Sequence, residues 1–337
     1  MQTPTAVPMP NPTRRDALAT IAATLALAVA SRVEAQQAAW PTQTIRILVP
    51  FAAGGGGDTL ARVLAPKLSE IFKQPVVVEN RPGASGIIAT DTVIKSPPDG
   101  HTLLVHAMPM VITPATFANP PYDPVRDLTT VAELISSPLW FVVSTARTQA
   151  RTLKEFVEQV KAEPGKHQYA GVSPGSTGHL YGFKLAEAAK LDLPHIGYKG
   201  SAPVTLAILN GEITAAFLDM VTLKPHLAGG KLRLLAVTGP KRSAHSGDVP
   251  TFLEQGFPGF ESNTWGGLFG PRGMPAAVVQ QLAATVTALL KDPAVGGRYE
   301  GLGYDVGTMT QAQFAAQVAA DRDMWAALVK KAGVKSE

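Results

Sequence analysis

The sequence predicts an α/β protein built from two β-α-β units, and three observations predict it. Short apolar runs rich in β-branched residues alternate with stretches whose apolar residues recur every three or four positions. The alternation runs from Thr44 to Ala107 and restarts near residue 140. Glycine-rich loops mark the strand-to-helix junctions, foremost Gly54-Gly55-Gly56-Gly57.

"TIRILVPF" (44–51) reads as a buried strand. Leu60, Val63, Leu64, Leu68, Ile71 and Phe72 then fall at helix spacing, with Pro66 expected to kink that helix. "PVVVEN", "GIIATDTVIK" and "HTLLVHA" follow as strand, helix and strand, which completes a parallel β-α-β-α-β unit. The second unit opens with the strand "LWFVVS" and a helix started by a Thr152-x-x-Glu155 capping box. "HQYAGV", "GHLYGFKLAEAAK" and "LPHIGY" read as strand, helix and strand. "PVTLAILNG" is a helix ended by Gly211, and "ITAAFLDM" and "LRLLAVTG" are strands. "WGGLFGP" is a strand leading out. Two helices close the chain, the last opened by Thr310-x-x-Gln313 and carrying Phe314, Val318, Trp325 and Leu328. They are expected to return to the first unit. The predicted division is 36–141 plus 264–337 for one domain and 142–263 for the other, each a mostly parallel sheet flanked by helices.

Residues 1–35 stand outside this plan. Arg14-Arg15 precedes an apolar, Ala-rich run, and Val33 and Ala35 are placed as in an A-x-A cleavage site, the pattern of a signal peptide. Thr13-Arg14-Arg15 suggests the twin-arginine route, and cleavage near Ala35 would deliver the chain to the periplasm. The chain of 337 residues has no cysteine, which excludes disulfides, thiolate nucleophiles and zinc-thiolate sites. The net charge of +4, spread along the chain, carries no nucleic-acid footprint. The seven histidines show no metal-ligand spacing.

A glycine run between strand and helix presents backbone N–H groups at the positive end of a helix dipole, a setting for an anion. Phosphate versions fail here. A P-loop needs Gly-Lys-Ser/Thr where this chain has Gly57-Asp58-Thr59, and a dinucleotide loop needs a small residue where Thr59 or Leu60 stands. No cofactor is expected. Asp58 reads as a helix N-cap, and the loop suits one small carboxylate. The alternative is a tight turn and nothing more. A second loop, Gly175-Ser176-Thr177-Gly178, has the same character in the second unit. It overlaps Gly171-Val172-Ser173-Pro174-Gly175, a literal G-x-S-x-G followed in triad order by Asp219 and His226, so a serine hydrolase is the enzyme alternative. Against it stands Pro174, which has no N–H to give an oxyanion hole.

"WPTQTIRILVPFAAGGGGDTLARVLAPKLSEIFKQPVVVENRPGASG" resembles the opening of the tripartite tricarboxylate transporter solute receptors, the Bug family. The resemblance continues through "SPPDGHTLLV", "PYDPVRDL", "HIGYKGSAP", "LAVTGPKRS", "DVPTFLEQGFPGF" and "WGGLFGP", over the whole mature chain. It implies a two-domain periplasmic-binding-protein (Venus-flytrap) fold, no enzymatic activity, and a carboxylate gripped between loops of the two domains. On that likeness the ligand contacts are Phe51, Gly55, Gly56, Gly57, Asp58 and Ser85 in one domain and Ser173, Gly175, Ser176, Thr177 and His179 in the other. Asp219 approaches the ligand's far end, and Arg81 and Pro82 are scaffold. Implied partners are a small organic anion and the membrane subunits of a secondary transporter, with a membrane sensor as the alternative; the receptor is expected to be a monomer. The chain departs from the family at "HAMPM", where thioethers replace small polar residues. Met108 then makes an apolar wall for an aromatic or longer aliphatic ligand, or simply packs under the loop.

Overall fold

The structure is a computed structural model that describes residues 40–51, 53–172, 175–198 and 200–335. The expected signal peptide and cleavage site, and Ser173 and Pro174, lie outside the described residues.

The apolar run at 45–49 forms β1 (Ile45–Val49), and α1 (Gly56–Phe72) begins within the glycine run and continues through Pro66. Leu60, Leu64 and Leu68 lie fully buried along one face of α1, each contributing roughly 1.5–3 kcal/mol by leaving water. β2 (Val76–Asn80), α2 (Ile87–Ile94) and β3 (Thr102–Ala107) follow, and β1 pairs in parallel with both β2 and β3. A short α3 (Pro109–Ile112) and the ten-residue β4 (Leu128–Ser137) come next. β5 (Trp140–Ser144) opens a second sheet. In α4 (Leu153–Ala162) the Thr152 side chain accepts the Glu155 N–H, while the Glu155 carboxylate reaches back to Arg151 N–H, one residue beyond the cap. β6 (Tyr169–Gly171), α5 (Thr177–Ala189), β7 (His195–Gly197), α6 (Ser201–Leu209) and β8 (Ala215–Leu218) repeat the alternation. The expected strand over 213–220 stops early because Asp219 caps α7 (Met220–Leu227), accepting the Thr222 N–H at 2.9 Å. β9 (Leu232–Val237), β10 (Thr264–Pro271), α8 (Ala276–Leu290), α9 (Gly296–Gly301), β11 (Asp305–Val306) and α10 (Gln311–Ala332) complete the chain.

The sheets run β11-β4-β10-β3-β1-β2 and β7-β6-β8-β5-β9. Both are mixed, yet most strands of each run one way, as expected: β10 and β11 are reversed in the first sheet and β5 in the second. β10 is antiparallel to β3 and β4, and β5 is antiparallel to β8 and β9. The reason is topological. The chain leaves the first sheet at the end of β4 and returns to it at the start of β10, so β10 must run the opposite way. Thr264 pairs with Ser137 at this crossing, and its hydroxyl donates to the Ser137 carbonyl at 2.7 Å. The final helices do pack on β4. α10 also reaches the second sheet's layer, where Trp325 meets Tyr181 of α5 edge-on at 5.0 Å and Lys331 pairs with Glu187 at 2.6 Å.

Candidate ligand-binding site

The two glycine-rich loops are built to one plan. In the first, Gly54 takes φ +84°, Gly55 is the N-cap of α1, and the third helical residue, Asp58, accepts the Gly54 N–H at 2.8 Å. In the second, Gly175 takes φ +76°, Ser176 is the N-cap of α5, and the third helical residue, His179, accepts the Gly175 N–H on Nδ1 at 2.9 Å. Each loop needs a residue tolerant of the left-handed region, and each is pinned by a side chain one turn on. The first-turn N–H groups of a helix have no partner within it. Here Gly56, Gly57, Thr177 and Gly178 bring two such turns to one cavity of ≈ 470 Å³, the size of a small-molecule site.

Phe51, Gly56, Gly57, Ser85, Met108, Gly175, Ser176, Thr177 and Asp219 all line that cavity. Gly55, Asp58 and His179 do not; they build the loops behind it. Asp58 is therefore not the N-cap. Burial pulls its carboxyl up, but hydrogen bonds from Arg62, the Gly54 N–H and Asn80 outweigh this and hold it below the usual range. Ser85 lies in a turn where Ala84 (φ 45°) and Ser85 (φ 53°) are both left-handed, a conformation costly for residues with a Cβ. Asp219 Oδ1 accepts from both the N–H and the hydroxyl of Thr222, at 2.9 and 2.7 Å. That role is a helix cap, while His226 sits in the last turn of the same helix.

Several lining residues carry no signal in the sequence. Tyr304, from the loop before β11, places its hydroxyl 2.8 Å from where a Cβ on Gly56 would stand. Burial, then the Asp219 carboxylate, push its pKa up to about 12. Trp265 of β10 forms wall, its indole N–H donating to the buried Asp321 at 2.8 Å. Ser137, Leu139 and Thr264 bring the two strand crossings to the cavity. His106, at the end of β3, also lines it. Among the described residues, Asp219 is the charged lining side chain; no Lys or Arg takes part. No group of three or more His, Asp or Glu among the described residues is placed to hold a metal, and no described helix is long and apolar enough to cross a membrane.

Comparison with known proteins identifies the family. Residues 60–334 match the model of the tripartite tricarboxylate transporter family receptor. The chain is 33% identical to Protein BugT of Bordetella pertussis over 300 residues, covering 88% of this chain and 91% of that one. It is 36% identical over 302 residues to a Cupriavidus necator protein from the gbd 5' region, covering 88% and 90%. Among solved structures it resembles Rhodopseudomonas palustris Rpa4515 with adipate, at TM-score 0.76 and 31% identity, covering 88% of this chain and 99% of that one. MatC from the same organism, solved with malate, gives TM-score 0.73 at 30% identity, covering 86% and 100%. The periplasmic binding protein BugD gives 0.72 at 33% identity, covering 88% and 100%.

Proposed function

The chain belongs to the tripartite tricarboxylate transporter receptor family, a family of solute receptors and not of enzymes, and from that premise we propose that it captures a small organic carboxylate in the periplasm for a membrane transporter. One observation carries the reading: two helix N-termini, built to the same plan by loops 121 residues apart, open on one cavity. A carboxylate held between them receives main-chain hydrogen bonds and two dipoles, each strengthened as water is excluded. The relatives solved with adipate and malate support the same ligand class.

The two sheets act as two domains, divided at the crossings by Pro138–Leu139 and Asn263–Thr264, and they close on the ligand as a monomer. Membrane subunits of a secondary transporter read the closed form; a membrane sensor is the other reader to test. Contacts are assigned to Phe51, Gly56, Gly57, Ser85, Met108, Ser173, Gly175, Ser176, Thr177 and Asp219, with Gly55, Asp58 and His179 shaping the loops.

The test is a thermal-shift screen of the purified protein against mono-, di- and aromatic carboxylates. A ligand at 100 times its Kd adds about 2.7 kcal/mol. Stabilisation by a carboxylate in the wild type, lost in Gly56→Val, is the expected result, because a side chain at 56 runs into the Tyr304 hydroxyl. No stabilisation by any carboxylate would overturn the reading.

A further inference from the structure

We propose that Tyr304 is a ligand-binding residue, whose hydroxyl donates a hydrogen bond to the ligand's carboxylate beside the first turn of α1; this rests on the receptor reading above. Tyr304 lines the cavity, and its hydroxyl lies 2.8 Å from the point where a Cβ on Gly56 would stand. The Gly56 nitrogen lies about 2.5 Å from that same point by standard backbone dimensions. Hydroxyl and N–H are therefore no more than about 5.3 Å apart, so a single ligand oxygen can accept from both. The glycine leaves the space between the two donors open.

The protein itself makes no use of this hydroxyl. Among the described residues it has no hydrogen-bond partner, and its oxygen keeps accessible surface. Burial, then the Asp219 carboxylate, push its pKa up to about 12, so at neutral pH it is a donor. The segment that carries it is pinned on both sides. Gly303, at φ +93°, lies against the start of α7, where a Cβ would stand 3.5 Å from the Val221 nitrogen. Asp305 Oδ1 meets Nε2 of His245 at 3.1 Å. α7 and His245 follow strands of the second sheet, whereas Asp305 and Val306 pair with β4 of the first. Tyr304 is thus held where loops of the two sheets meet, and a donor fixed in advance adds affinity with little ordering cost. Among the described residues the lining holds no Lys or Arg. A phenol adds a donor there without adding a charge.

The test titrates butyrate, succinate, hexanoate and adipate calorimetrically into wild type and Tyr304→Phe, and melts both proteins without ligand. Phenylalanine keeps the ring and removes the hydroxyl alone. Each acid that binds wild type should bind Tyr304→Phe about tenfold or more weakly, the scale of one hydrogen bond to a charged group. The two ligand-free melting temperatures should agree, because the hydroxyl has no partner to lose. Equal affinities in the two proteins overturn the inference. So does a loss for the dicarboxylates alone while a monocarboxylate binds both proteins equally, which would put the hydroxyl at the ligand's far end. A lower ligand-free melting temperature in Tyr304→Phe also overturns it, since the hydroxyl would then serve the fold. Failure of all four acids, together with malate and benzoate, to bind wild type is a different result: it overturns the receptor reading and this inference with it.

Discussion

The imidazoles of His179 and His195 lie stacked, ring centres 3.8 Å apart and planes 17° from parallel. Tyr169 flanks both rings. Burial, then the facing His179, push His195 down to about 4, and burial lowers His179 as well. Between that value and the ordinary 6.5, the unfolded chain binds a proton that the folded chain refuses. Stability is therefore complete above the ordinary value and falls as the pH drops toward the folded one. His106, buried and neutral, acts in the same direction. The melting temperature should fall on acidification from neutral pH, and less steeply in His195→Asn. An identical slope in that variant would remove the pair as a cause.

Gly182 of α5 packs on Tyr169 of β6 so closely that a Cβ would fall within the phenol ring. Ala is the better helix former at an open site. Here the ring must move instead, and overpacking costs about 1–3 kcal/mol. Gly182→Ala should lower the denaturant midpoint without changing its slope. A neutral or stabilised variant would show that the ring yields freely.

Asp321 of α10 is 2% exposed and accepts from the Trp265 indole at 2.8 Å and the Ser262 hydroxyl at 3.2 Å. Burial pushes its carboxyl above the usual range, opposed by the donors around it. Asp321→Ala orphans the indole N–H, at a cost of about 1–3 kcal/mol. Asp321→Asn keeps an acceptor and should lose less. Thermal melts of the two variants check the order, and equal losses would mean that packing dominates.

Met108 is 1% exposed and lines the cavity, so it packs into the core and borders the proposed site. Met108→Ser should shift preference from succinate toward malate, whose hydroxyl gains a partner. The ratio of their dissociation constants measures it; an unchanged ratio would assign Met108 to packing alone.

Much of the frame is legible in residue spacing. Leu60, Leu64 and Leu68 announce α1, and the apolar runs at 45–49 and 140–144 announce strands that are buried on both faces. β4 is not legible, because "LTTVAELISS" mixes polar residues into a strand. Its Glu133 is buried and accepts the Thr308 and Met309 N–H groups from a segment 175 residues away. The cavity divides the same way. Its glycine loops show in the sequence because they are local. Tyr304, Trp265 and His106 do not, because each earns its place only when distant strands meet. Asp58 and His179 do not line the cavity, since a side chain at the third helical position reaches back to the loop N–H of Gly54 or Gly175.

The anion site proposed above is made of main-chain N–H groups, which side-chain substitution does not remove. Every residue except proline carries the amide such a site uses, but Gly56 and Gly178 are held by space as well: a Cβ would meet the Tyr304 hydroxyl at 2.8 Å and the Phe217 carbonyl oxygen at 3.0 Å. Other lining residues, among them Met108, Thr116, Ile135 and Ser201, contribute side chains that can be rewritten one codon at a time. If the two helix N-termini hold the anion as proposed, changes confined to those side chains would alter which acid is preferred and leave the anion grip in place.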